Sequence, residues 1–174
     1  IGPKTEQILN QEGIKTVKIE KLDYYGYNEF VAMRLKDYIN TDYCLLVQND
    51  GYILRAEKWT DEFLNYDYCG APWRIPEDNA YRTPQGELVR VGNGGFSLRS
   101  KKLLNAPSEL GLKFSDMGTG YPHEDGFLCV HYRKELEDYG VKFAPLHIAT
   151  LFSTEFPIPE TLDSFGAHGV GLKL

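Results

Sequence analysis

Four groups of residues have the types needed for chemistry on a charged, oxygen-rich substrate. Asp50 stands just past the unbroken apolar run Tyr43-Cys44-Leu45-Leu46-Val47, within Gln48-Asn49-Asp50-Gly51. A carboxylate at the end of a buried strand can ligate a hard divalent cation, Mn²⁺ or Mg²⁺, which in turn neutralises a diphosphate. Asn-Asp-Gly is also strong turn chemistry, so a plain turn is the other reading. Gly92, Gly94 and Gly95 surround Asn93. They permit either close backbone approach to a ligand with positive φ, or a tight turn before a strand at Phe96. His123-Glu124-Asp125 opens a helix. Two acids in a first turn suit the helix dipole; alternatively, one faces a cleft as general base while the other positions a substrate hydroxyl. Neighbouring helical residues point about 100° apart, so the two do not share a proton. His168 sits in the Gly-rich stretch Phe165-Gly166-Ala167-His168-Gly169. It is either an isolated histidine or the late ligand of a metal site begun by Asp50. Ser97 has no nucleophile elbow around it, which sets a Ser-His-Asp hydrolase aside.

The elements that must position these groups follow from hydrophobic spacing. Residues 14–19 alternate and predict a short strand, and residues 27–39 carry Val31, Leu35, Tyr38 and Ile39 at helical spacing. The run 43–47 predicts a strand buried on both faces, central in an α/β sheet. Its polar sequel lies where open α/β sheets place ligands. Residues 57–66 predict a short helix with Trp59 and Phe63 inward, and 66–70 a strand leading to Trp73. Residues 74–87 predict a surface loop. Ser100 is placed to cap a helix over 101–104. The helix opened by residues 121–125 has Leu128, Tyr132, Leu136 and Tyr139 on its inner face and ends at Gly140. Residues 141–144 predict a strand. His131 and His147 read as packing or surface residues. Strands alternating with helices favour an α/β mixed sheet.

The chain has 174 residues, which suits one domain spanning 1–174. It opens at Ile1-Gly2-Pro3 rather than Met, so a preceding segment is expected. The net charge of −6 argues against a protein built to grip nucleic acid or anionic lipid. An acidic protein still binds a phosphate ligand where a metal ion offsets the charge. Cys44, Cys69 and Cys129 are scattered through apolar settings without CxxC spacing, and read as reduced thiols of a cytoplasmic protein. No apolar run approaches the ~18 residues of a membrane span, and no signal peptide is read. The oligomeric state is open.

Taken in order, Gln48-Asn49-Asp50, Gly92-Asn93-Gly94-Gly95, His123-Glu124-Asp125 and His168 resemble the GT-A glycosyltransferase fold. The likeness runs from about residue 22 to 169. It is nearest to an uncharacterised bacterial glycosyltransferase-like family, through Tyr66-Asp67-Tyr68-Cys69-Gly70-Ala71-Pro72-Trp73, Val91-Gly92-Asn93-Gly94-Gly95-Phe96-Ser97-Leu98-Arg99 and the stretch around His168. The resemblance implies a Rossmann-like mixed sheet flanked by helices and an inverting, metal-dependent transfer from a nucleotide-sugar donor to a saccharide hydroxyl. Bacterial surface polysaccharide assembly is the setting it suggests. Asp50 and His168 would be metal ligands, Asp125 the base, and Glu124 its helper at sugar hydroxyls. Gly94 and Gly95 would line the sugar pocket with Asn93, Tyr27 and Asn28 would lie near the nucleotide, and Trp73 would stack on a sugar ring.

Two departures accompany the likeness. The motif before Asp50 begins with Gln48, an amide able to bond ribose or a metal-bound water with Asn49 beside it. Little chain precedes residue 22, so the resemblance implies a sheet without its usual first strand and with an open edge. A non-catalytic glycan- or partner-binding module on a degenerate fold is the alternative these departures favour. A metal-dependent phosphodiester or diphosphate hydrolase using Asp50, Glu124, Asp125 and His168 is a third.

Overall fold

The computed structural model describes residues 3–76, 81–115, 123–155 and 163–169. In chain order come α1 (Pro3–Gln11), α2 (Tyr24–Glu29) running into a π-helical turn (Phe30–Arg34), β1 (Tyr43–Val47), β2 (Gly51–Ile53), β3 (Tyr68–Cys69) and β4 (Phe96–Ser100). Then follow α3 (Lys101–Glu109), α4 (Glu124–Gly126) with a second π-helical turn (Phe127–His131), α5 (Arg133–Asp138), α6 (Leu146–Phe152), β5 (Ser153–Thr154) and β6 (Gly166–His168). The fold is mixed α/β. An antiparallel sheet has the order β1-β4-β3, and a mixed sheet has the order β2-β6-β5.

β4 explains how the first sheet serves both the core and the site. Successive strand residues face opposite sides. Phe96 and Leu98 enter an aromatic cluster with Phe63, Phe152 and Phe165, where Phe63 and Phe152 meet edge-on at 5.2 Å. Ser97 and Arg99 point the other way, toward α4. β3 divides similarly, Cys69 into the aromatic cluster and Tyr68 into a second one built on Leu103, Phe127, Leu128 and Leu136. Burial pushes the Cys69 thiol up to about 12, so it packs as a neutral group. All three cysteines are free thiols.

Several expected elements take a different form. Residues 14–19 make no strand; among the described residues no strand pairs with them, and Ile14, Val17 and Ile19 stay exposed. β1 has the predicted bounds but pairs with β4 alone among the described residues, so it is a half-buried edge strand rather than a central one. The predicted helix over 57–66 resolves into 3₁₀ turns at Ala56–Lys58 and Asp61–Asn65, with Phe63 buried and Trp59 only partly covered. Within 74–87, residues 77–80 lie outside the described residues. The rest is no plain loop, since residues 81–91 fold back on themselves through Val89 N–H to Tyr81 O at 2.7 Å and Thr83 N–H to Glu87 O at 2.9 Å. Residues 141–144 touch β3 through one parallel bridge, Tyr68 with Phe143.

The long predicted helices survive with a shifted phase. Tyr121 and Pro122 lie outside the described residues. Beyond them the π turn bonds Tyr132 N–H to Phe127 O, one residue further back than an α-helix would. Leu128 and Leu136 are buried as expected, but Phe127 and Cys129 join them and Tyr139 turns outward. The Phe30–Arg34 turn has the same effect: Val31 and Ala32 are buried while Tyr38 is exposed. Ser100 does cap α3, accepting from Leu103 N–H at 3.0 Å, and Gly140 ends α5 at φ 97°.

Candidate functional site

Asn93, Gly94 and Gly95, preceded by Gly92, form the floor of a cavity of about 740 Å³. Its glycines answer to protein side chains. A Cβ at Gly92 would overlap the Trp73 ring, one at Gly94 the Glu124 carboxylate, and one at Gly95 the His168 imidazole. The positive φ falls instead on Asn93, at 64°, a residue that tolerates the left-handed region. Its Oδ1 accepts from Gly95 N–H at 3.2 Å, closing a local turn. Each glycine therefore meets its own neighbour: Trp73 at residue 92, the acidic pair at 94, and His168 at 95.

The two acids diverge as helical geometry requires. Glu124 is buried, and both its carboxylate oxygens accept from Arg99 Nη2 at 3.0 Å. Arg99 is fully buried too, with Nε donating to Ser97 Oγ at 3.0 Å and the guanidinium 5.5 Å from the Tyr68 ring centre. Ser97 Oγ in turn donates to Gly94 O at 3.1 Å. Burial pushes the Glu124 carboxyl up, to about 7, against the pull of Arg99. Burial also opposes the charge on Arg99, but Glu124 outweighs it and holds the guanidinium protonated. Asp125 turns to the cavity, where Oδ2 accepts from Gly94 N–H at 3.1 Å and Oδ1 from Gly126 N–H at 2.8 Å. Glu124 thus supports Gly94 from below, while Asp125 holds it from the cavity side.

Asn28 ties α2 to α4. Its Oδ1 accepts from Glu124 N–H at 3.0 Å, and its Nδ2 donates to Tyr24 O at 2.8 Å. Both ends of the amide are engaged within the protein. One residue earlier, the Tyr27 hydroxyl accepts from Gln48 Nε2 at 2.8 Å. Burial raises the Tyr27 pKa, so it stays a neutral phenol.

At the other end of the floor, strand register brings distant residues together. β1 ends beside Gly95, with Gln48 N–H donating to Gly95 O at 2.8 Å. Residues 48–51 then make a hydrogen-bonded turn, Gly51 N–H to Gln48 O at 2.9 Å, as the Asn-Asp-Gly sequence allows. β2 leaves that turn antiparallel to β6 with Gly51 opposite His168. His168 Nε2 consequently lies 3.2 Å from both Asp50 Oδ1 and Gln48 Oε1. Its Nδ1 is buried without a hydrogen-bond partner among the described residues. Two oxygens about 3 Å from a ring nitrogen match neighbouring ligands on an octahedral ion with bonds near 2.1 Å. Among the described residues no three His, Cys, Asp or Glu side chains gather as a complete cage. Mg²⁺-type sites commonly use one or two protein ligands and complete the shell with water and substrate phosphates.

A comparison with protein families matches residues 14–168 to the family described as "Protein of unknown function (DUF5672)". The chain belongs to this family. No curated protein and no solved structure matches it. The matched span contains every residue of the cavity, from Tyr24 to His168.

All the candidate residues but Asp50 and Gly92 line this one cavity, and Asp50 adjoins it through His168. Asn49 lines it beside Gln48. Trp73 is 5% exposed and stacks on Tyr81, so little of its own face meets the cavity. Sequence reasoning missed four contributors. Tyr24 bonds His123 Nδ1 through its hydroxyl at 2.9 Å. Tyr81 forms part of the wall. Glu155 stands near His168 and Asn93, its carboxyl raised chiefly by burial. Arg99 lies beneath the floor. Only Arg99 left a sequence signal, as a charge inside the alternating run Phe96-Ser97-Leu98-Arg99.

Proposed function

We propose that this protein is a GT-A-type, metal-dependent inverting glycosyltransferase, moving a sugar from a nucleotide-sugar donor to a hydroxyl acceptor, in a role such as bacterial surface polysaccharide assembly. One observation carries the reading: Asp125, His168 and the stacked Trp73–Tyr81 rings line one cavity, with Asp50 against His168 at its edge. Residues 92 and 95 are at most about 10 Å apart along the chain, the scale of one or two sugar rings. Group transfer needs those three parts in one cavity: a site for the leaving diphosphate, a base, and a surface for the acceptor.

Asp50 and His168, with Gln48 beside them, would hold Mn²⁺ or Mg²⁺, which supplies charge neutralisation to the departing diphosphate. Asp125 would take the proton from the acceptor hydroxyl as its oxygen bonds the anomeric carbon and the carbon–oxygen bond to the diphosphate breaks. Glu124 would act through position, keeping Gly94 and hence Asp125 in place. Titration of UDP-, GDP-, CMP- and dTDP-sugars in the presence and absence of Mn²⁺, followed by turnover with saccharide acceptors, tests this. Metal-dependent binding of at least one donor is expected; its absence across the panel overturns the reading.

A second reading, a saccharide-binding module without catalysis, rests on the Asp125 carboxylate. Both oxygens accept backbone N–H bonds, as a purely structural acid would. In that case saccharide binds without metal and Asp50→Ala leaves the binding intact.

A further inference from the structure

Tyr81 has a backbone that its side chain does not favour. Its φ is 59°, in the left-handed region where a bulky residue is an outlier. Strain of this kind persists only where surrounding structure enforces it, and it clusters at ligand sites. Here the enforcement is visible. Tyr81 O accepts from Val89 N–H at 2.7 Å, and Val89 leads to Arg90, whose carbonyl accepts from Trp73 N–H at 2.9 Å. Arg90 Nε returns a bond to Trp73 O at 3.0 Å. These bonds fix Tyr81 and Trp73 to one short hairpin.

The result is a stacked pair of rings. Their centroids are 4.4 Å apart and their planes differ by 14°. Trp73 is the inner ring, buried and wedged on Gly92. Tyr81 is the outer ring, 37% exposed and lining the cavity. The stacked pair makes a rigid aromatic shelf in the cavity wall. An aromatic face suits the CH face of a pyranose, whose hydroxyls then point outward to polar groups.

We propose that Tyr81, backed by Trp73, is the shelf on which the acceptor saccharide ring stacks, so that aromatic packing on this wall of the cavity selects a pyranose over a simple alcohol. The assignment of that ring as the acceptor rests on the glycosyltransferase reading; the stacking itself does not.

The test uses methyl glycosides of glucose, galactose, mannose and N-acetylglucosamine, without metal, against the whole chain. Saturation-transfer NMR on the unmodified protein should mark the ring CH protons of at least one glycoside and shift the Tyr81 ring resonances. Tyr81→Phe should keep the affinity and Tyr81→Ala should weaken it about tenfold. Affinity unchanged in Tyr81→Ala, or a panel in which no glycoside perturbs Tyr81, overturns the shelf. If the variants do not fold, the Tyr81 shifts in the unmodified protein decide alone. Mn²⁺-dependent donor binding is measured separately. Its loss with the shelf intact removes the glycosyltransferase reading only, and Tyr81 remains a saccharide site.

Discussion

His168 Nε2 lies 3.2 Å from Asp50 Oδ1, though the two residues are far apart in the sequence. The contact is a product of register: Gly51 opposite His168 in the β2–β6 pair leaves the preceding aspartate no other neighbourhood. Were β6 to slip by one residue, the imidazole would face the other side of the sheet.

Mn²⁺ affinity should follow this contact. Asp50→Ala and His168→Ala should each weaken Mn²⁺ binding at least tenfold in an electron paramagnetic resonance titration. Gln48→Glu should strengthen it about tenfold, since a carboxylate replaces a neutral amide 3.2 Å from His168 Nε2. Unchanged affinity in all three variants would detach the pair from metal binding.

The two inner glycines should fail differently. Gly94→Ala drives a methyl into the Glu124 carboxylate, which is buried against Arg99 and cannot move away. A loss of about 1–3 kcal/mol in denaturant unfolding is expected. Gly95→Ala meets His168, which is nearer the surface. It should displace the imidazole, cutting Mn²⁺ affinity with a smaller loss of stability.

Arg99 and Glu124 form a buried pair whose members should not be separable. Arg99→Met leaves a buried carboxylate alone and should cost about 3–5 kcal/mol, most of which Arg99→Met with Glu124→Leu restores. The pair also sets a pH dependence. Glu124 has its pKa raised from 4.5 to about 7, so between those values the folded protein holds a proton that the unfolded chain releases. That contribution to stability is complete below about 4.5 and is lost as pH rises through about 7. Glu124→Gln should flatten the fall in melting temperature across that window; an unchanged slope would assign it to other groups.

Asp125→Asn should abolish transfer and spare donor binding, read as separate turnover and titration experiments. The amide keeps one oxygen to accept from Gly94 N–H, and the bond from Gly126 N–H is the one given up. Equal loss of turnover and binding would instead mark Asp125 as a structural acid.

The ends of elements were legible in the sequence, and their lateral neighbours were not. Asp50, the glycine floor and His168 each interrupt or end an apolar run, which is where open sheets expose polar groups. The Asp50–His168 convergence could be expected only by analogy, because strand register is not written in either segment alone. Arg99 shows the limit clearly. A polar residue alternating with Phe96 and Leu98 reads as a solvent face, yet α4 covers it and Glu124 supplies the counter-charge. The glycine spacing reads equally as close approach to a ligand or as a tight turn, and the atoms against the glycines belong to Trp73, Glu124 and His168. Tyr81 was hidden in a stretch whose Pro and polar residues read as loop, although its bonds build a hairpin.

The π turn after α4 makes the aim of the acidic pair a matter of counting. Phe127–His131 carries one residue more than an α-helical path would need, as the Tyr132 N–H to Phe127 O bond shows. Deleting a single residue there would restore regular winding and rotate the preceding turn by about 100° relative to α5. Glu124 would swing off Arg99, and Asp125 off Gly94. A one-residue change in length, at positions that touch no part of the cavity, would thus re-aim both acids at once.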